Sequence, residues 1–266
     1  MSEKIEEYLK KLRPKYIPSS EKVVREAFER LGLTKWSPQN PTGKKPQEVI
    51  EHFNDYLKMV FEETLRVLEE YEEKFYTEVI FKELCQRRSN ELDQLAQVTS
   101  SPSDFAYKIL RMFYPDLWSI FLSRSQSRKA RGGSDFEYQV RYLLELADIP
   151  FEPQPKKYHV DLLIPNSQAF LRNRTRTLIL SIKRTLRERW KEVVEELYNT
   201  RSPNVYLLTA DENVSTNIVN DLKKYNIHLT VWDEVKYRKF PNEPLVLGYS
   251  QLMSREIKTF MAFWQK

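Results

Sequence analysis

The chain has 266 residues, 41% apolar and 13% aromatic, enough for an ordinary core, and one cysteine, which excludes an internal disulfide framework. Its 43 basic and 38 acidic residues leave a net charge of +5, so a polyanion would have to meet a local patch rather than a global field. No apolar run is long enough to span a bilayer, and the mixed-charge start Met1-Ser2-Glu3-Lys4-Ile5-Glu6-Glu7 is no secretion signal; the expected setting is a reducing cytoplasm.

Residues 1–33 read as two helical pieces broken at Pro14 and Pro18, the second capped by Ser19 or Ser20 and stopped by Gly32. Pro38, Pro41 and Gly43 deny regular structure to residues 36–45, after which Pro46 suits a first helical position. Val49, Phe53, Leu57, Val60, Phe61, Leu65, Leu68, Tyr71, Phe75, Val79 and Leu84 then recur at three-to-four spacing, the mark of one long amphipathic helix. Its stripe is core in the ordinary case and a subunit interface in the other. Cys85, inside this pattern, is expected to be a buried, inert thiol.

Residues 97–103 look like a joint, and Ser103 or Asp104 can cap a helix through Phe105, Ile109, Leu110 and Phe113. Residues 123–133 are basic, hydroxyl-rich and hold Gly132 and Gly133, so a flexible loop is expected there. Its small donors and fixed cations suit phosphate oxygens; a merely solvated loop is the plain alternative. Ser134 or Asp135 would cap a helix from Phe136 to about Ala147.

From Ile149 strands and helices alternate. Strands are expected at 158–164, 178–183, 205–209 and 228–232. Helices are expected from about Glu188, through Val214, Ile218 and Leu222 with a cap near Asp211, and around the apolar tail Phe260, Met261, Phe263 and Trp264. The fold class is α/β, a mixed central sheet flanked by helices, with an N-terminal all-helical region.

Side-chain alternation puts Ile179, Ser181 and Lys183 on one face of their strand, with Lys183 at its end. If the Asp161 strand lies alongside, a carboxylate and an ammonium converge at one rim, where a divalent metal and a water could sit beside a phosphodiester. A surface ion pair is the ordinary meaning of such a pair. Taking Trp190, Val193, Val194 and Leu197 as the buried stripe of the next helix sets Glu196 at the stripe's edge and turns Glu192 and Glu195 to solvent. Arg187-Glu188-Arg189 is chemically able to read guanine and cytosine edges, though helix-surface ion pairing is its simpler use.

Asp161, Ser181-Ile182-Lys183, Arg187-Glu188-Arg189-Trp190 and Glu196 together resemble the PD-(D/E)xK type II restriction endonucleases of the CCGG/CCNGG group, where Ser replaces the usual second acid and the following helix supplies it. Arg128-Lys129-Ala130-Arg131-Gly132 followed by Phe136-Glu137 is similar to that group's upstream helix, with Glu91 as a rival for the upstream acid. The resemblance covers residues 123–232. It implies a homodimer, possibly a higher oligomer, cutting double-stranded DNA at a palindrome containing CC and GG. Asp161 and Glu196 would bind Mg2+, Lys183 would orient or activate water, and Glu137 would assist through metal or water. Arg187, Glu188 and Arg189 would read bases, and Arg128, Lys129 and Arg131 would contact DNA. Residues 1–100 would be a helical domain for dimerisation, DNA contacts or both, and residues 101–266 the catalytic and recognition domain.

Three histidines and one cysteine offer little for zinc, and no P-loop or Gly-rich dinucleotide turn is present. Arg172, Arg174 and Arg176, between the two central strands, can touch phosphate or belong to an exposed loop. The rival readings are a structure-selective nuclease of the same fold and a non-catalytic DNA-binding module.

Overall fold

The computed structural model describes residues 2–187 and 189–264. Two compact units are present, one of residues 1–26 and 64–131, the other of residues 27–63 and 132–266.

The first unit is helical. It holds α1 (Ser2–Tyr16) and the start of α2 (Ser20–Arg30). The expected long helix after Pro46 is instead a series: α3 (Pro46–Glu51), α4 (Phe53–Lys74), a π-helical turn at Phe75–Phe81 and α5 (Lys82–Arg87). His52 leaves helical geometry at φ −110° and interrupts the series once; α6 (Ser89–Val98) and α7 (Pro102–Leu146) follow across the joint expected near residue 100. Pro14 does not break α1 but lies in its last turn, where little helix follows to be disrupted. Cys85 is exposed, not buried: it falls beside the stripe that buries Leu84.

The largest departure is α7, 45 residues of unbroken helix through the segment expected to be a loop. Gly132 is there for space, not freedom. It is buried, and a Cβ at this position would come within 3.1 Å of Arg184 Cδ. Glycine here carries the usual Gly-in-helix penalty of ~1 kcal/mol and leaves room for the Arg184 side chain as it lies in this structure.

The second unit is built on a six-stranded sheet in the order β1 (Glu152–Pro153), β2 (Leu162–Ile164), β3 (Leu178–Ile182), β4 (Val205–Leu208), β5 (His228–Val231) and β6 (Val246–Gly248). β1, β2 and β3 pair antiparallel, while β3 to β6 pair parallel, giving the expected mixed sheet. Every residue of β3 and β4 is buried, which is why both read as continuous apolar runs. β6 is only three residues long and left no pattern in the sequence. The expected strand at 158–164 starts only at Leu162, since His159 has φ +54°.

Between β2 and β3 lie α8 (Ser167–Arg172) and a 3-10 turn, Arg174–Arg176, rather than an open loop. α9 (Trp190–Thr200) and α10 (Thr216–Lys224) link the parallel strands. α10 is capped by Ser215, whose hydroxyl accepts from Ile218 N, and not by Asp211. After β5 come α11 (Asp233–Lys239), α12 (Tyr249–Gln251), a π-helical turn at Leu252–Ile257 and the closing α13 (Lys258–Trp264). Phe53, Phe61, Phe136, Trp232 and Tyr249 form an aromatic cluster with centroids 5.2–6.5 Å apart. Each fully buried large side chain contributes about 1.5–3 kcal/mol.

Candidate active site

β2 and β3 run antiparallel with Leu162 opposite Leu180, so the same register, continued by one residue, sets Asp161 opposite Ser181. Asp161 Oδ2 accepts from Ile182 N at 2.6 Å and from Lys183 Nζ at 3.0 Å. Lys183 N in turn donates to Leu208 O at 2.9 Å, prolonging the β3–β4 ladder and fixing the root of the lysine.

α9 supplies the third group. Its buried residues are Val193, Glu196 and Thr200, a three-and-four spacing that leaves Glu195 exposed. Glu196 Oε1 lies 3.0 Å from Ser181 Oγ and 3.4 Å from Lys183 Nζ. One expectation needs correction. Trp190 is partly buried and not in the core: α9 begins with it, and the fully buried apolar group of this segment is Leu186, before the helix. Glu192 is exposed, as expected, yet one of its carboxylate oxygens lies 3.8 Å from Lys183 Nζ, so it stands on the rim of the site.

The electrostatics follow from burial. Burial raises the Glu196 pKa, repulsion from Asp161 adds to it, and Lys183 and Ser181 only partly counter them, leaving it at about 7. Burial works against the Lys183 ammonium, but the charges of Asp161, Glu196 and Glu192 more than offset it, so its pKa lies above the ordinary lysine value. Lys183 is therefore a cation at neutral pH, suited to donating hydrogen bonds rather than removing protons.

Glu137, on α7, joins this group from another direction. Its pKa is raised by burial first and by the nearby Asp161 second, against the pull of Arg141 and of Gln154, with a weaker contribution from Lys183. Gln154 Nε2 donates to the two Glu137 oxygens at 2.9 and 3.1 Å, and Gln154 N donates to Asp161 O at 2.8 Å. Gln154 thus ties two acids together; set between Pro153 and Pro155, it carried no signal in the sequence. Glu91, the rival acid, is an exposed residue of α6 in the first unit, 3.9 Å from Arg88.

Arg187 and Arg189 are exposed on the turn between β3 and α9. Glu188 lies outside the described residues. Arg189 Nε is 3.3 Å from Glu192 Oε1, so the simple ion-pair reading of this segment is present in part. The basic run on α7 is used differently. Arg124 and Arg128 both donate to the buried Glu72, at 2.8 and 2.7 Å, and Arg131 donates to Pro18 O at 2.6 Å; Lys129 is exposed. Arg174 and Arg176 lie over the rings of Phe170 and Phe263, 5.3 and 5.1 Å from the centroids.

Among the described residues no group of three or more His, Cys, Asp or Glu side chains forms a closed metal site. What converges is two carboxylates, Asp161 and Glu196, and Glu196 Oε2 is buried without a hydrogen-bond partner among the described residues. Such an orphaned anionic oxygen beside a second carboxylate fits a magnesium ion, which keeps several waters and takes few protein oxygens.

The family described as EcoRII C terminal matches residues 110–247, just over half of the chain. The type II restriction enzyme SsoII of Shigella sonnei is 29% identical over 212 residues, covering 75% of this chain and 67% of that enzyme. Among solved structures, metal-depleted Ecl18kI in complex with uncleaved DNA superposes with a TM-score of 0.83 at 24% identity, covering 100% of this chain and 87% of that one. A PspGI–substrate DNA complex gives 0.60 at 18% identity, covering 94% and 95%. The chain belongs to the EcoRII C-terminal family and is a type II restriction endonuclease, a site-specific nuclease.

Proposed function

We propose that this enzyme hydrolyses double-stranded DNA in a Mg2+-dependent reaction at a palindrome containing CC and GG, of the CCGG or CCNGG type. The observation that carries the reading is the meeting of Asp161, Ser181, Lys183 and Glu196 at the end of β3 with one Glu196 oxygen left unpaired. Asp161 and Glu196 would hold the metal. A bound Mg2+ supplies a Lewis acid for the phosphate and a more acidic water. Lys183 donates to the attacking water or a phosphate oxygen and offsets the charge that develops there. Glu137, with its raised proton affinity, can take a proton from water or add an oxygen to the metal.

Arg187 and Arg189 suit guanine O6 and N7, and a carboxylate at Glu188 suits cytosine N4. Lys129 is the member of the basic run best placed to meet phosphate; Arg128 and Arg131 would first have to release their present partners.

A two-fold site calls for a two-fold enzyme, and self-association fits the outer face of α7. Tyr107, Leu110, Tyr114, Trp118 and Phe121 follow helical spacing there and are each 53–63% exposed, while Phe113 and Ile120 bury the opposite face. With aromatic side chains offering about 150–250 Å2 each, the stripe approaches the ~800 Å2 per partner of a standard interface. No described helix is long and apolar enough to cross a membrane.

Plasmid DNA incubated with and without Mg2+ tests the reading. Discrete, Mg2+-dependent fragments whose sequenced ends share a CC/GG palindrome are expected. A smear would point to the structure-selective or nonspecific nuclease, and intact plasmid would sink the assignment.

A further inference from the structure

Just past β4, two hydrogen bonds that take no part in the chemistry lead to the turn after β3. Beyond the last ladder bond, Thr209 Oγ1 donates to Arg184 O at 3.2 Å, and Asp211 Oδ2 accepts from Leu186 N at 3.1 Å. We propose that Thr209 and Asp211 are positioning residues for base readout, hanging from β4 the turn that displays Arg187 and Arg189. The proposal rests on the reading that Arg187 and Arg189 contact bases.

Both groups are fixed in direction. Asp211 Oδ1 accepts from Asn213 N at 2.9 Å, so each carboxylate oxygen has its own donor. Asp211 N donates to Thr209 Oγ1 at 3.1 Å, which leaves the Thr209 hydroxyl proton for Arg184 O. The post is itself held: the buried Tyr249 hydroxyl donates to Thr209 O and Trp232 Nε1 donates to Ala210 O, both at 3.1 Å. Asp211 is free for this task because Ser215 caps α10.

On the other side of the bond, Leu186 is the pivot of the turn. Asp211 holds its N–H, its carbonyl accepts from Arg189 N at 2.6 Å, and its side chain is fully buried. The next residue, Arg187, has φ +31°, a conformation a non-glycine residue keeps only where its surroundings over-determine it. Arg184 completes the seat, its guanidinium 5.3 Å from the Phe61 ring centroid and its chain against Gly132. Without the Asp211 bond, the turn loses its side-chain acceptor for Leu186 N, and the two guanidinium forks lose a common reference.

The test is metal-free binding to a duplex carrying the site mapped from fragment ends, and to the same duplex with one base of the CC/GG tract changed. Asp211→Ala should lower the ratio of the two affinities by ~10- to 100-fold, the usual size of one charge-assisted hydrogen bond, with binding to an unrelated duplex unchanged; the thermal midpoint falls as well, because the bond is present in the free protein, but the variant is compared at a temperature where it is folded. Asp211→Asn, whose amide oxygen can still accept from Leu186 N, should keep most of the ratio. Arg189→Ala is measured beside them. If it retains discrimination, the base-reading assignment fails; if it loses discrimination and Asp211→Ala does not, the positioning proposal is overturned. Should Asp211→Ala not fold, Thr209→Ser against Thr209→Val tests the same hinge: Ser keeps the ratio and Val lowers it, and equal ratios overturn the proposal.

Discussion

Two arginine-bearing segments of similar composition meet different ends in this molecule. In residues 124–131 of α7, Arg124 and Arg128 converge on the buried Glu72, and Arg131 reaches a backbone carbonyl. In residues 184–189, Arg187 and Arg189 are carried on an exposed turn that follows the Lys183 strand. A helix whose neighbour presents a buried acid draws its arginines inward. A turn hung from a strand end keeps them outward. Local charge density is the same signal in both, so it cannot separate a structural cation from a DNA-facing one.

The largest effect should come from the residue that roots the second segment. Lys183→Ala is expected to lower the cleavage rate at saturating DNA about 10^2- to 10^3-fold while metal-free binding to cognate duplex persists, since a charge is lost at the reacting phosphate and not at the bases. Single-turnover cleavage beside a binding assay checks this, and retained cutting would undo the site.

Next comes Glu72→Ala, which leaves two half-buried guanidinium groups without their shared carboxylate. A loss of about 2–3 kcal/mol in urea denaturation is expected, discounted from the fully buried case because Arg124 and Arg128 are 34% and 32% exposed. An unaltered midpoint would mean that the first segment is not structural.

Glu196 gives a pH test of similar size. Its folded pKa, about 7, exceeds the ordinary 4.5, so the folded state holds a proton that the unfolded chain releases between those values. Stability linked to this group is full below pH 4.5 and is lost as pH rises through 7, by up to about 3 kcal/mol. In chelator, Glu196→Gln should therefore be more stable than wild type at about pH 8, with the gap closing towards about pH 5. A constant gap across that range would refute the shift.

The smallest effects bear most directly on the comparison. Arg128→Ala should leave the salt dependence of DNA binding unchanged, because its guanidinium is already paired, whereas Lys129→Ala should reduce the slope by about one counterion. Equal changes in the two slopes would erase the distinction between the segments.

Much of the site was legible without coordinates because it depends on short-range periodicity. Strand alternation set Ser181 and Lys183 on one face, and helix phase chose Glu196 over Glu195, both matters of residues a few positions apart. The same reasoning misread Trp190, because the apolar group that is buried there, Leu186, precedes the helix. It also read 123–133 as a loop, since glycines signal flexibility when the side chain that needs their space, Arg184, is some fifty residues away. The exposed Cys85 shows the limit of a stripe that wavers at a π-helical turn.

Sequence by itself determined the main strands of the sheet, the mixed α/β class and the residues able to do the chemistry, because propensity and alternation act over a few residues along the chain. Tertiary structure alone decided which arginines face inward, that Gln154 ties Glu137 to Asp161, and that Asp211 holds Leu186. Those are meetings of side chains distant in sequence, and packing selects them among many partners of equal chemistry.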